Sequence, residues 1–426
     1  KDPARNAYFA TWVKSRVFPL EWHRGKFSPS ANVPPAKWLP RRSQEYVPPR
    51  HEIMRRDCME RCVNMIVAGT NSLPGQSKHQ HRKSAHKTIS NWIFDCSRLG
   101  GLFRDPMLPV RSESFRKCFE ERLCLRLLSG TAESMYSSVM DNIEQTVQNI
   151  LSLPIEQTGV RVEKFSTFQD GIEMVTFQPM LPNAEKLTLF KSHYSDLALA
   201  HKRLAYDDAN LDNRIFSMLQ RYTTLWSLNS GAQGALPDAV FEVLKKELDV
   251  QTECFASPLN HRLAKYCSAF EDTDQCFGSL GSFYNVGGLQ GSYECNPPFD
   301  TESVVACLGH IHTLIEEADS NGVPLSFAVF FGRFEKNDRV QERIDSLKHS
   351  IRGSHLVHDH VYLYGFQHCP QGARTRVNEF WKPDRATRVL LIQSEEGFKN
   401  FCFGLPHRVK EILVAIEAAF KPPSSP

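Results

Sequence analysis

The spacing of apolar residues changes along this chain, and each change marks a different kind of element. Between Cys58 and Leu153 the pattern is helical; Ile143, Val147, Ile150 and Leu151 share one helical face. From Val160 the period drops toward two. Val160 and Val162 alternate ahead of an Asp170-Gly171 turn signal, Ile172, Met174 and Thr176 follow it, and Lys186 to Phe190 adds another strand, which together predict a small β-rich module. Asn213 to Leu228 reads as a helix leading into the last part of the chain. There, strand-like runs (Thr252–Ala256, Ser292–Cys295, Leu325–Phe331 and Arg388–Gln393) alternate with helices. Val304, Val305, Leu308, Ile311 and Ile315 lie on one helical face, and Val409, Ile412, Leu413, Ile416 and Phe420 form a closing amphipathic helix. Such alternation predicts an α/β fold built on a doubly wound parallel sheet, with ligands at the carboxyl ends of its strands.

Two stretches break the pattern. Residues 1–50 are rich in proline and aromatics, among them Trp12, Trp22, Pro34, Pro35 and Trp38, and predict an extended segment laid over a folded body. Ser77 to Lys87 is polar and basic without apolar spacing, and predicts a loop or arm positioned to touch phosphate. Three units are therefore expected: an extended arm and basic helical domain over 1–157, a β-rich module over 158–205, and an α/β domain over 206–426.

Composition changes this picture in three ways. Length (426 residues) favours several domains, while 41% apolar and 23% charged residues are ordinary globular usage without a run long enough to cross a bilayer, so no membrane association is expected. The twelve cysteines form no Cys-x-x-Cys pair, which predicts reduced thiols, and the start at Lys1 reads as a fragment. The net charge of +3 hides an asymmetry: residues 1–130 hold 24 Lys+Arg against 11 Asp+Glu, leaving 27 against 37 for the remainder. A basic first third beside an acidic remainder suits a nucleic-acid-holding region attached to a catalytic one, and equally a solvated basic surface.

The sharpest chemical feature is Asn296-Pro297-Pro298-Phe299, directly after a strand and before a helix. An exocyclic amine of adenine or cytosine is a poor nucleophile because its lone pair is delocalised into the ring. Two acceptors, the Asn296 side-chain oxygen and the Pro297 carbonyl, would draw that nitrogen toward tetrahedral geometry; the prolines stiffen the loop, and Phe299 stacks on an unpaired base. The alternative is a structural turn, with Asn296 capping the helix and Phe299 in the core. A related Asn-Pro-Pro-aromatic loop also serves protein-glutamine methyltransferases, whose substrate is another planar amide.

Around this loop the chain resembles the cap-specific adenosine N6-methyltransferase family, also named for binding the phosphorylated C-terminal domain of RNA polymerase II. The resemblance runs through Glu253-Cys254-Phe255-Ala256-Ser257-Pro258-Leu259-Asn260, Tyr266 to Phe270, Asp272-Thr273-Asp274, Phe277-Gly278-Ser279 and Gly291-Ser292-Tyr293-Glu294 into Asn296–Phe299. It implies a Rossmann-like class I methyltransferase domain preceded by a helical domain with a small β-rich insert. The implied reaction moves a methyl group from S-adenosylmethionine to N6 of the cap-adjacent adenosine of capped mRNA, in the nucleus. Catalysis would rest on Asn296, Pro297, Pro298 and Phe299, and the cofactor on Phe255, Ala256, Ser257, Pro258, Asn260, Asp272, Asp274 and Gly278. The phosphorylated polymerase tail would bind through a segment outside this chain.

The chain departs from the family in two places. Phe331-Gly332-Arg333-Phe334 stands where members carry Pro-Glu-Trp, and Gly365, Gln367 and His368 are what remains of an Arg-Ser-Gly-Ser-Gln-His segment. Arg333, Phe334, Gln367 and His368, with Arg122 and Arg126 of the helical half, are the substrate candidates. The other readings are N6-adenine methylation of internal RNA or DNA, and a degenerate RNA- or polymerase-tail-binding module. Cys58 and Cys62, followed by His79 and His81, are too widely spaced for a typical zinc site, and no metal is expected.

Overall fold

In a computed structural model of the chain, the residues described are 47–70, 75–98, 105–123, 129–154, 160–169, 172–181, 184–206, 208–226, 234–334, 338–363 and 380–421. The expected N-terminal arm and the Asp170-Gly171 turn fall outside them, except for residues 47–50.

The helical half is built from α1 (Pro49–Gly69), α2 (Lys78–Arg98), α3 (Glu113–Leu123) and α4 (Ser129–Ser152). Helix α1 opens on a proline at its first position, where the missing N–H has no intrahelical partner to lose. It buries Cys58, Met59, Cys62, Val63 and Ile66 as one stripe. Trp92 of α2 sits at the centre with no exposed surface, edge-on to Phe119 and Tyr136 at 5.1 and 6.1 Å, its indole N–H donating to the Phe115 carbonyl at 2.9 Å. Cys58 and Cys62 face the Asn142 amide, which donates to both sulfurs, at 3.2 and 3.1 Å, as part of the α1/α4 packing.

One expectation is corrected here. Lys78 to Lys87 is not a loop but the first half of α2. Its buried stripe is His81, Ala85, Ile89, Trp92, Ile93 and Cys96, and the two turns that looked polar fill that stripe with histidine and alanine. His81 satisfies its ring through Thr70 Oγ1 at 2.8 Å. The start is fixed by a reciprocal cap: the Ser77 N–H donates to Gln80 Oε1, and the Gln80 N–H to Ser77 Oγ.

Strands β1 (Val162–Gln169), β2 (Ile172–Pro179) and β3 (Leu187–Phe190) form an antiparallel meander. Val175, Phe177, Leu187 and Leu189 join the helical core, together with Leu197 of α5 (Lys191–Arg203). Helix α6 (Leu211–Trp226), which the sequence reading assigns to the last unit, puts Ile215, Phe216, Leu219 and Tyr222 into this same core. So do Leu259, Phe270 and Phe277 from the α/β half, so the two halves share one apolar interior.

After α7 (Asp238–Leu248), the α/β half carries β4 (Val250–Ala256), β5 (Lys265–Ser268), β6 (Gly291–Cys295), α8 (Thr301–Asn321), β7 (Leu325–Gly332), α9 (Asp338–Ser346) and β8 (Ile351–Val357). A two-stranded ribbon of β9 (Tyr362–Leu363) and β10 (Phe380–Trp381) precedes β11 (Thr387–Gln393), α10 (Glu395–Cys402) and α11 (Pro406–Ala419). The six-stranded sheet has the order β5-β4-β6-β7-β11-β8. This is the Rossmann-like α/β architecture, with one correction: the sheet is mixed. β5, β4, β6 and β7 are parallel, whereas β11 inserts antiparallel between β7 and β8. One face packs on α8 through Cys295, Phe327, Val329 and Phe331, the other on α7 and α11 through Val250, Ala328, Phe330 and Leu391. Strand β7 is covered on both faces, which is why it reads as an unbroken apolar run.

A buried charge network crosses between the halves. Arg221 of α6, with no exposed surface, donates to both carboxylate oxygens of Glu52 at 2.8 and 2.7 Å, and to both of Asp272 at 3.1 and 2.8 Å. Glu52 also pairs with Arg55, which holds Asp105 at 2.8 Å. Burial alone would lower Arg55 and Arg221 and raise Asp105, but the opposite charges outweigh it: both guanidiniums sit above their ordinary value and Asp105 below its own. Asp105 thus adds stability above pH 3.8, its ordinary value, that is lost as acid protonates it. Replacing Arg221 by Met strands Glu52 and Asp272 in the interior, at about 3–5 kcal/mol. R221M is expected to lower the thermal unfolding midpoint by roughly 5 °C; a change within about 1 °C of zero, roughly what under 1 kcal/mol would give, would show that the network contributes little.

Candidate active site

Strand β6 ends at Cys295, and Asn296-Pro297-Pro298 continues as an extended link to α8. The helix cap is supplied by Asp300, not by Asn296. Asp300 Oδ1 accepts from the Ser303 N–H at 2.9 Å, and Asp300 Oδ2 from the Ser303 hydroxyl at 2.5 Å. Asn296 is therefore released from the structural role open to it on sequence grounds. Its Oδ1 is enclosed without a hydrogen-bond partner, an acceptor held ready at the carboxyl edge of the sheet.

Phe299 is half-buried where the two cores of the α/β half meet. Its ring stands edge-on to Tyr362 at 5.6 Å and 81°. On the opposite strand, a Cβ at Gly332 would stand 3.4 Å from Phe299 Cδ2, so glycine gives the ring its room. Tyr362 is itself fixed through Thr387, whose hydroxyl lies 3.0 Å from the tyrosine oxygen and 2.7 Å from His360 Nε2. Burial pushes His360 down to about 4, so this imidazole is neutral at physiological pH. Tyr362 and Thr387 escaped the sequence reading because they are distant along the chain and carry no motif, and Gly332 enters it only as part of a departure from the family.

A second acceptor sits beneath the loop. Glu294 and Glu253 are register partners on β6 and β4, both buried. Glu253 Oε1 accepts the N–H groups of Arg262 and Leu263, both at 2.6 Å, while Glu294 Oε1 has no partner. Burial, only partly offset by those two N–H groups, pushes Glu253 up to about 7; burial and the neighbouring Glu253 push Glu294 well above the usual carboxylate range.

The residues expected to hold a cofactor lie along the ends of β4 and β5. Phe255 closes β4 with its ring edge-on to Phe283 at 5.4 Å, and Ala256 pairs with Ser268. Ser257 and Asn260 are occupied with each other, Asn260 Oδ1 accepting from the Ser257 backbone at 2.8 Å and from its hydroxyl at 2.9 Å, with Pro258 buried between them. Gly278 takes the left-handed φ of 105° that favours glycine. The two acids differ. Asp274 is fully buried, accepts from Tyr222 and Thr273 at 2.7 and 2.9 Å, and is pushed by burial up to about 7, so it serves the interior. Asp272 keeps 22% of its side chain exposed while Arg221 holds it from behind, which leaves a fixed carboxyl face at the sheet edge. That carboxylate, the Phe255 ring and the open acceptor of Asn296 suit a ribose-bearing cofactor beside a planar amine.

Of the substrate candidates, Phe334 stacks on Phe331 and the Arg333 N–H donates to the Ala386 carbonyl at 2.8 Å, placing both at the end of β7. Arg122 is committed to Asp95 on α2. Arg126, Gln367 and His368 lie outside the described residues.

Residues 188–365 match the family model described as "Phosphorylated CTD interacting factor 1 WW domain". The matched span carries five of the six strands of the large sheet. The human and mouse proteins named mRNA (2'-O-methyladenosine-N(6)-)-methyltransferase are 32% and 34% identical to this chain over 57% and 54% of its length. The aligned part spans about a third of each relative, 34% and 33%.

The buried acid pair predicts a pH dependence. A carboxyl whose folded value lies above its ordinary 4.5 stabilises the fold below pH 4.5, and that contribution is lost as pH rises toward 7. Glu294→Gln removes one member of the pair. The variant is expected to melt a few degrees above the parent at pH 8, about 3 °C, and at the same temperature at pH 4.5; equal midpoints at both would mean that the acids do not interact.

Proposed function

We propose that this chain, whose residues 188–365 match the phosphorylated CTD interacting factor 1 family model, methylates N6 of the adenosine next to the cap of mRNA. The observation that carries the reading is the buried, unpartnered Asn296 Oδ1 on a proline-stiffened loop beside a clamped aromatic ring. S-adenosylmethionine supplies the methyl group when bound. Asp272 holds its ribose hydroxyls, and Phe255, Ala256, Ser257, Pro258, Asn260 and Gly278 shape the pocket around it. Asn296 Oδ1 and the Pro297 carbonyl accept the two N–H groups of the adenine amine, and Phe299 stacks on the base. With both protons held, the nitrogen lone pair is directed at the incoming methyl, and no strong base is required because the amine proton becomes acidic as the new bond forms.

Three further expectations follow from the family. The chain works in the nucleus on capped transcripts, the longer protein engages the phosphorylated tail of RNA polymerase II, and the segments 1–157, 158–205 and 206–426 divide into RNA-holding, bridging and catalytic parts. The test is transfer of labelled methyl to short RNAs beginning cap-A, cap-G or uncapped A, with nucleoside digestion of the product. N6-methyladenosine is expected on cap-A alone, with Asn296→Ala lowering turnover roughly 10²–10³-fold while cofactor affinity is kept. Tyr362→Ala, which frees the Phe299 ring, is expected to lower turnover less, by roughly tenfold. Equal labelling of uncapped A would move the assignment to a general adenine methyltransferase, and cofactor binding without labelling to another substrate.

A further inference from the structure

Two arginines stand at the end of β7 and the start of β11 with no carboxylate partner among the described residues. Arg388 is the register partner of Phe331, and the Arg333 N–H donates to the Ala386 carbonyl, extending the same ladder by one step. Because side chains alternate along a strand, Arg333 lies on the face of Phe331 and therefore on that of Arg388, as its diagonal neighbour across the ladder. Arg333 is exposed and Arg388 half-buried, with the exposed Arg385 three residues before Arg388. Burial, and then the like charge of Arg333, lowers Arg388 from its ordinary value.

Several other buried and half-buried guanidiniums of this chain are committed to acids: Arg55 to Asp105, Arg122 to Asp95, Arg221 to Glu52 and Asp272, Arg352 to Glu395. Like charges on adjacent strands repel, and two such groups held together without a counter-charge form a site for an anion. The position narrows which anion. Arg333 follows directly on Gly332, whose other face packs against Phe299, so the pair projects from the α8 face of the sheet at its carboxyl edge, one strand over from Asn296 and across the sheet from the Phe299 ring.

We propose that Arg333 and Arg388 form a phosphate-binding subsite that grips the nucleic-acid backbone flanking the target nucleoside. This rests on the methyltransferase reading of the neighbouring loop. The phosphate belongs either to the bridge of a capped end or to an internal diester, and both present the anionic oxygens that a forked guanidinium recognises.

Fluorescence polarisation of 8-nucleotide RNAs, capped, 5'-hydroxyl or carrying a 5'-triphosphate, is measured against salt concentration for the parent chain, Arg388→Gln, Arg333→Gln and Arg388→Lys, with S-adenosylmethionine affinity and methyl transfer followed in parallel. Each glutamine variant is expected to raise Kd roughly tenfold and to reduce the slope of log Kd against log salt by about 0.7, the change for one lost phosphate contact on a single strand. R388K is expected to keep the slope and recover part of the affinity, and cofactor affinity is unchanged throughout. Loss confined to capped RNA assigns the bridging phosphates, and equal loss on all three an internal diester. Unchanged Kd and slope in both glutamine variants, with parent and variants methylating RNA, overturns the subsite and leaves the methyltransferase reading intact. An arginine-dependent slope in a parent that transfers no methyl keeps the subsite and removes that reading, whereas a parent that binds none of the RNAs removes both.

Discussion

The two halves of the molecule are tied by Arg221, and the placement of the Asp272 carboxyl follows from it. A guanidinium with no exposed surface has lost its hydration, which costs several kcal/mol unless every donor direction is answered. Glu52 from α1 and Asp272 from the turn after β5 answer it, each with both oxygens. Arg55 and Asp105 extend the network, so two cations share the interior with Glu52 and Asp105 while Asp272 meets them from the sheet edge. Breaking any member strands charge, and the helical body and the edge of the sheet are therefore fixed relative to each other through Asp272. A cofactor carboxylate mounted on a loop alone would lack that rigidity.

The Asn296–Phe299 loop shows the opposite treatment of polar groups. Whereas Arg221 in the interior network makes four hydrogen bonds to carboxylates, the end of β6 and the loop after it hold two enclosed oxygens, Glu294 Oε1 and Asn296 Oδ1, without a hydrogen-bond partner among the described residues. An unmet buried acceptor costs about 1–3 kcal/mol, and folds retain it where a ligand supplies the missing donor. The adenine amine proposed as substrate would bring one of its two N–H groups to the Asn296 oxygen. The ring of Phe299 is defined from both sides, by Tyr362 and by the absent side chain at Gly332, so the stacking surface is set before any base arrives.

What the sequence disclosed depended on how far apart the cooperating residues lie. Strands β4, β6, β7 and β11, the closing helix α11 and the Asn296–Phe299 loop were legible because each is a contiguous run with its own periodicity or chemistry. Strand β5 has only four residues, and β8, Ile-Arg-Gly-Ser-His-Leu-Val, is an edge strand with polar residues on both faces, so neither gives a clean period. The first turns of α2 were misread because His81 and Ala85 occupy stripe positions usually held by larger apolar residues, although Ser77 and Gln80 carry the capping signal. Tyr362, Thr387 and Gly332 reach the site from β9, β11 and β7, and no local pattern joins them. The antiparallel insertion of β11 is likewise a property of the connection after β8, not of the strand's composition.

Charge makes the same point on a larger scale. The excess of Lys and Arg in residues 1–130 suggested a nucleic-acid face, but many of those arginines are bound to acids: Arg55 to Asp105, Arg82 to Glu60, Arg111 to Asp141 and Glu144, Arg116 to Glu113 and Glu120, and Arg122 to Asp95. Among the described residues, Lys83 and Lys87 remain exposed and without an acid partner one turn apart on the outer face of α2. Lysine suits such a place, because a flexible ammonium follows a phosphate backbone without demanding one geometry. The forked guanidiniums of Arg333 and Arg388 lie instead at the carboxyl edge, in the half whose net charge is negative. Net charge by segment thus locates the diffuse, salt-sensitive attraction for a polyanion, while the residues that would fix one phosphate against the catalytic loop are found only by asking which cations the fold has left unanswered.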